Sequence, residues 1–126
     1  MKLNIRRGDI WLVNFAPVVG HEQNGARPSV VITSDLVNID LMEMAFVIPG
    51  TKTAKTDPKT NEVLADVVRV EPSSSNNLQY VTYFLCSQLR AVSLKRFCKT
   101  VRIGVLNEEQ LSRVREILIE ILDLES

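Results

Sequence analysis

The hydrophobic pattern changes period once, and that change limits the folds open to this chain. Before residue 107 the apolar residues come in short β-branched runs broken by glycine, proline and polar turns. After it, Leu111, Val114, Ile117, Leu118, Ile121 and Leu122 recur at helical spacing as one stripe. Asn107 can cap that helix, with Gln110 at the third helical position to complete a capping box and Glu108 and Glu109 facing the positive end of the dipole. Many short strands in series with one terminal helix predict a mainly β fold, a small and partly open barrel with the helix packed against it.

The individual runs support this. "GDIWLVNF" (8–15) is continuously apolar and reads as a buried strand, and "RPSVVITS" resumes the β signal after a loop at 16–26, with Pro28 confined to a strand start. "MAFVIPG" (44–50) predicts a third strand stopping at Pro49-Gly50, followed by a mobile, basic loop at 52–62. "VLADVVRV" (63–70) predicts a fourth strand, "EPSSSNNL" a flexible connector, and "YVTYFLCSQLRAVS" (80–93) and "CKTVRIGVL" (98–106) the rest of the β part. At 126 residues, with no domain boundary visible, residues 1–126 are expected to form a single domain.

Fifteen basic and fifteen acidic residues cancel, but unevenly. Residues 72–107 contain no acid and carry Arg90, Lys95, Arg96, Lys99 and Arg102, whereas 108–126 is acidic. A basic barrel face and an acidic helix would result. The N-terminus lacks the apolar stretch of a signal peptide and no run is long enough to span a bilayer, so a cytoplasmic protein with no membrane partner is expected. Cys86 and Cys98 lie in apolar segments and are expected as buried thiols. With one histidine and no paired-cysteine motif, neither a metal site nor any cofactor is expected.

The segment with chemical potential is "GHEQNGARP" (20–28). Its glycines let the loop present side chains. Arg27 stands at the loop-to-strand junction, where a guanidinium has the donors to bind a phosphate and to stabilise the charge of a pentacoordinate phosphorus. Glu22 and Gln23 could orient it, or Glu22 could simply pair with it. His21 titrates near neutrality but has no evident partner to set its tautomer. Thr51 follows Pro49-Gly50, where its hydroxyl could donate to a phosphate oxygen, and Lys52, Lys55 and Lys59 are either solvated charges or a cationic arm for single-stranded nucleic acid.

"RGDIWLVNFAPVVGHEQNGARPSVVI" (7–32) closely resembles the opening signature of the MazF/PemK toxins, endoribonucleases of bacterial toxin-antitoxin pairs. The likeness continues through "FVIPGT" (46–51), "SQLRAVSLKRF" (87–97) and the terminal helix. The resemblance implies an SH3-like barrel of the MazF/CcdB type, a homodimer, and metal-independent cleavage of single-stranded RNA by attack of the ribose 2′-hydroxyl, leaving a 2′,3′-cyclic phosphate and a 5′-hydroxyl. The family's catalytic pair falls on Arg27 and Thr51, with Thr53 as the other candidate hydroxyl, and Glu22 and Gln23 match the loop's other polar positions. His21, Lys52, Thr53, Lys55 and Gln88 are candidate substrate contacts beside them. A guanidinium keeps its proton, so the general base stays open among His21, Glu22 and water. The "SSSNN" connector (73–77) and the 52–62 loop are expected to carry cleavage-sequence specificity. An antitoxin with a disordered acidic tail is the implied partner, with operator DNA a further one. A CcdB-like protein that poisons a topoisomerase without catalysis, or a DNA-binding co-regulator, are the alternatives. The first has no need for Arg27, Thr51 and the intact loop, and the neutral net charge and lack of a recognition-helix motif make the second a secondary role at most.

Overall fold

The computed structural model describes residues 3–16 and 25–125. Strands β1 (Asp9–Asn14), β2 (Ala26–Val31) and β3 (Met44–Thr51) pair antiparallel in chain order, with Ile10 opposite Val30 and Val30 opposite Ile48. A short helix α1 (Ile39–Met42), capped by the Asn38 side chain, connects β2 to β3 and was not legible in the sequence. β4 (Val67–Val70) and β5 (Thr82–Leu85) extend one edge, β6 (Arg90–Ser93) also joins β3, and β7 (Gly104–Val105) closes the other edge against β1. Helix α2 (Glu108–Leu122) follows. The result is a mainly β, curled half-barrel with one C-terminal helix, as expected.

The first strands read as continuously apolar because both faces of the sheet are covered. Ile10, Val30 and Ile48 meet Val114, Ile117 and Leu118 of α2 on one face. Trp11, Val13, Val31, Ala45 and Val47 meet Ile39, Val92 and Phe97 on the other, where the Trp11 and Phe97 rings stand edge to face at 5.5 Å. Strand alternation sends neighbours to opposite faces, so a run buried on both needs no polar positions.

β3 does not end at Pro49-Gly50. It runs on to Thr51: on one edge residues 47–49 pair with β2, and on the opposite edge residues 44–47 pair with β6 while Gly50 and Thr51 pair with Phe84 and Tyr83 of β5. Pro49 lies in the gap between the β6 and β5 pairings, so its missing N–H costs the sheet little. Glycine is required next, because a Cβ at residue 50 would lie 2.5 Å from Thr82 Cγ2 and 3.0 Å from Phe84 Cε1.

Several connections are more ordered, or less extended, than expected. The 52–62 segment is a hydrogen-bonded turn in which the Asp57 carboxylate accepts from Lys59 N at 2.8 Å and Asp57 N donates to Glu62 O at 2.8 Å. Residues 63–66 fold back on it through the Thr56–Val63 bridge, which leaves β4 only Val67–Val70. The 80–93 run is broken by a 3-10 turn, Cys86–Gln88, that steps the chain from β5 to β6 along β3. Of 98–106 only Gly104–Val105 forms a strand, since Lys99 to Arg102 are exposed. On α2 the capping box is present, with Gln110 N donating to Asn107 Oδ1 at 2.7 Å. Its stripe is only partly core: Ile121 and Leu122 are 44% and 49% exposed, because the last turn runs past the buried cluster.

The connector at 72–79 is built around Asn76, which is buried. Its Oδ1 accepts from Ser73 N at 2.9 Å and Leu78 N at 3.0 Å, and its Nδ2 donates to Glu71 O at 2.9 Å. Gly104 packs so tightly on it that a Cβ there would meet Asn76 O at 2.4 Å. Truncating Asn76 strands those backbone groups, so Asn76→Ala should lose about 2 kcal/mol or more in a urea titration. An unchanged midpoint would show that the connector does not depend on this side chain.

Only one of the two cysteines is in the core. Cys86 is buried and Cys98 is exposed, following buried Phe97 and opening the exposed run 98–102, and no disulfide joins them. Burial first, and the nearby Asp66 carboxylate second, push the Cys86 thiol up to about 11 from its ordinary 9.0. The native fold therefore holds the neutral thiol. The stability tied to that preference is intact below pH 9 and is lost as pH rises through about 11. At pH 8 an alkylating reagent should modify Cys98 in the native protein and reach Cys86 only after unfolding; equal labelling of both by mass spectrometry would contradict this.

Candidate active site

The β2–β3 ladder stops at Ser29–Pro49, and the two strands then part. Continued by two residues, the same register would set Arg27 opposite Thr51. Instead the ladder ends there, and Ala26, Arg27 and Pro28 keep β1 alone as a neighbour. Pro28 lies third in β2, not first, at a locally unpaired edge where no N–H is needed. The fork opens a groove of about 700 Å³, within the size range of ligand pockets.

Arg27 and Thr51 both line it, as do Lys52 and Thr53. Arg27 is exposed, and among the described residues its guanidinium has no hydrogen-bond or ion-pair partner. Thr51 is half-buried, and its Oγ1 accepts from Thr53 N at 3.2 Å, which leaves the hydroxyl proton to donate into the groove. Thr53 is exposed and supplies the backbone donor that holds Thr51, so Thr51 is the better fixed hydroxyl. The Lys52 ammonium stands over the Tyr80 ring, 5.2 Å from its centroid.

The loop that carries the other candidates is tied at both ends. Phe15 N donates to Gly25 O at 2.9 Å, Ala16 N donates to Asn14 Oδ1 at 2.9 Å, and Arg96 donates to the Ala16 carbonyl. A Cβ at Gly25 would lie 2.5 Å from Ala16 N, so only glycine lets the ends close this tightly before Arg27. His21, Glu22 and Gln23 fall outside the described residues. Lys55 and Gln88 do not line the groove: Lys55 belongs to the turn that folds back through Leu64, and Gln88 is exposed on the 3-10 turn.

The groove also holds Tyr80, Lys99 and Arg102, which the motif search missed. Their signal was the acid-free window at 72–107, too broad by itself to single them out. Arg102 is anchored by Asp9, whose buried carboxylate accepts from Arg102 Nη1 at 3.2 Å, Arg6 N at 2.9 Å and Trp11 Nε1 at 3.3 Å. The "RGDIW" signature thus reaches the site from behind. Gly8 turns at φ +89° with its N–H on Val31 O at 2.8 Å, and this puts Asp9 at the head of β1.

Among the described lining residues Arg27, Lys52, Lys99 and Arg102 are cationic and none is acidic. In a chain of zero net charge that segregation suits a polyanion. A second concavity beside α1 holds Asp35 and Asp40 along with Arg6 and lacks this bias. Among the described residues no His, Cys, Asp and Glu side chains gather as a metal-binding group, and no helix is long and apolar enough to cross a membrane.

Comparison with known proteins agrees with the geometry. Residues 6–122 match the family model of the PemK-like, MazF-like toxins of type II toxin-antitoxin systems. The chain is 53% identical over 116 residues to Endoribonuclease MazF of Staphylococcus epidermidis, covering 90% of this chain and 88% of that protein. It is 30% identical over 125 residues to Endoribonuclease MazF9 of Mycobacterium tuberculosis, covering 95% and 98%. In fold it is similar to a chain of the MazE-MazF (Form-III) structure from Deinococcus radiodurans, with a TM-score of 0.71, 20% identity and coverage of 96% and 98%. With a match across nearly its whole length and a cationic fork built on that signature, this chain belongs to the PemK-like, MazF-like toxin family of type II toxin-antitoxin systems.

Proposed function

We propose that this toxin is an endoribonuclease that cleaves single-stranded RNA in the fork between β2 and β3, acting in the cytoplasm. The observation that carries the reading is, among the described residues, a guanidinium without a partner and a held hydroxyl on one groove whose charged walls are wholly cationic. The curated relatives are named endoribonucleases, which supports the same chemistry. Thr51 hydrogen-bonds a non-bridging oxygen and fixes the scissile phosphate. Arg27 meets the charge that builds as the ribose 2′-oxygen attacks phosphorus, and the products are a 2′,3′-cyclic phosphate and a 5′-hydroxyl. A guanidinium and a hydroxyl supply this stabilisation without a metal or any cofactor, and the cleavage is read as metal-independent.

The active form is read as a homodimer, and the inhibiting partner as an antitoxin of the kind named in the MazE-MazF structures. An acidic antitoxin segment laid in a groove of this charge would compete with RNA directly.

Arg27→Ala should slow cleavage of single-stranded RNA in EDTA by at least about a hundredfold with an unchanged thermal melt, the scale of removing one preorganised transition-state donor. Undiminished cleavage by that variant, or none by the unaltered protein on any RNA, would sink the assignment. At the other wall, Thr51→Ser should keep most of the activity while Thr51→Ala loses roughly tenfold or more. If Thr53→Ala proved the more damaging change, the hydroxyl role would pass to Thr53.

A further inference from the structure

The proposed cleavage chemistry uses Arg27 and Thr51 and leaves the outer wall of the groove without a task. Tyr80 stands there with 59% of its surface exposed, outside every core cluster. Its backbone is nevertheless pinned, since Thr82 Oγ1 donates to Tyr80 O at 3.0 Å, and the Lys52 ammonium sits over the ring. The fold gains little by holding an aromatic side chain in water. A fixed, exposed ring set among cations is the combination that binds single-stranded nucleic acid, with stacking for bases and charge for phosphates. The charge is close at hand. Lys99 is exposed on the same groove, and Arg102 spends one N–H on buried Asp9, whereas a guanidinium carries five.

We propose that Tyr80 is a nucleobase-stacking residue of an RNA subsite beside the scissile bond, with the adjoining phosphates bound by Lys99 and Arg102. This rests on the reading of the groove as an RNA-cleaving site. Stacking accepts any base with a π face, so the subsite adds affinity and registers the strand without reading a particular letter. It also assigns work to the ordered connector: Asn76 and its hydrogen bonds hold the segment that leads into Tyr80.

The test uses an RNA that the protein cleaves, made with one 2′-deoxynucleotide at the cut so that it binds without reacting, and an abasic site moved through it one position at a time. For the unaltered protein one abasic position near the cut should weaken binding by roughly tenfold. In Tyr80→Ala the intact RNA should bind roughly tenfold more weakly and the abasic penalty at that position should vanish, while Tyr80→Phe keeps both. Lys99→Ala should lower the slope of log affinity against log salt by about 0.7, one phosphate contact on a single strand. A flat abasic scan, or equal scans for the unaltered protein and Tyr80→Ala, overturns the subsite while leaving cleavage at Arg27 intact. Failure of the unaltered protein to bind or cut any RNA overturns the functional reading beneath it.

Discussion

Strand β3 cannot keep β2 as its neighbour past Pro49, and the site depends on that limit. Antiparallel pairing needs N–H donors along both strands. Pro49 has none, Pro28 on the facing strand has none, and the ladder ends between them. Gly50 then lets β5 approach where any side chain would collide. Had pairing continued, Arg27 and Thr51 would be covered as neighbours in a closed sheet. Because it stops, both face an open cleft while their backbones stay anchored in strands. For the roles proposed for Arg27 and Thr51 such an arrangement is well suited, with the two groups on rigid elements and space between them.

A second constraint comes from buried Asp9. A carboxylate without water requires donors, and it takes them from the Arg6 backbone, the Trp11 indole and the Arg102 guanidinium. One side chain thus ties the head of β1, the core aromatic and a cation in the groove. Arg102 is about half exposed, so the ion pair adds little to stability as a Coulomb term. Its consequence is positional: a long, flexible arginine acquires a fixed base.

The neutral chain divides its charge by location. Acids gather on α2 and in the turns at 57–71, while the wall from Lys99 to Arg102 has none. For a protein whose substrate and inhibitor are both read as polyanions, local charge matters more than the total, since fields between exposed groups fade within about 10 Å at ordinary ionic strength.

Much of the fold was legible in the sequence because its signals are local. The two-face burial of Asp9–Asn14, the Asn107 capping box and the period of α2 each depend on residues a few positions apart. Arg27 and Thr51 were legible through the signature around them, and their shared groove followed from the β2–β3 register. What misled were segments whose state is set at a distance. "EPSSSNNL" has the composition of a loose linker, yet Asn76 orders it from inside a cavity that Gly104, nearly thirty residues later, is small enough to leave. Ile121 and Leu122 carry the helical period but lie beyond the sheet that would bury them. Tyr80, Lys99 and Arg102 belong to no short motif, because they converge only when β7 returns to β1 and the connector docks. By itself the sequence determined the first three strands, the terminal helix and which arginine is held near a strand start, since those follow from spacing and steric preference. Only the tertiary structure decided where the sheet forks and which cations face the gap, since both depend on which distant backbones can approach closely enough to pair.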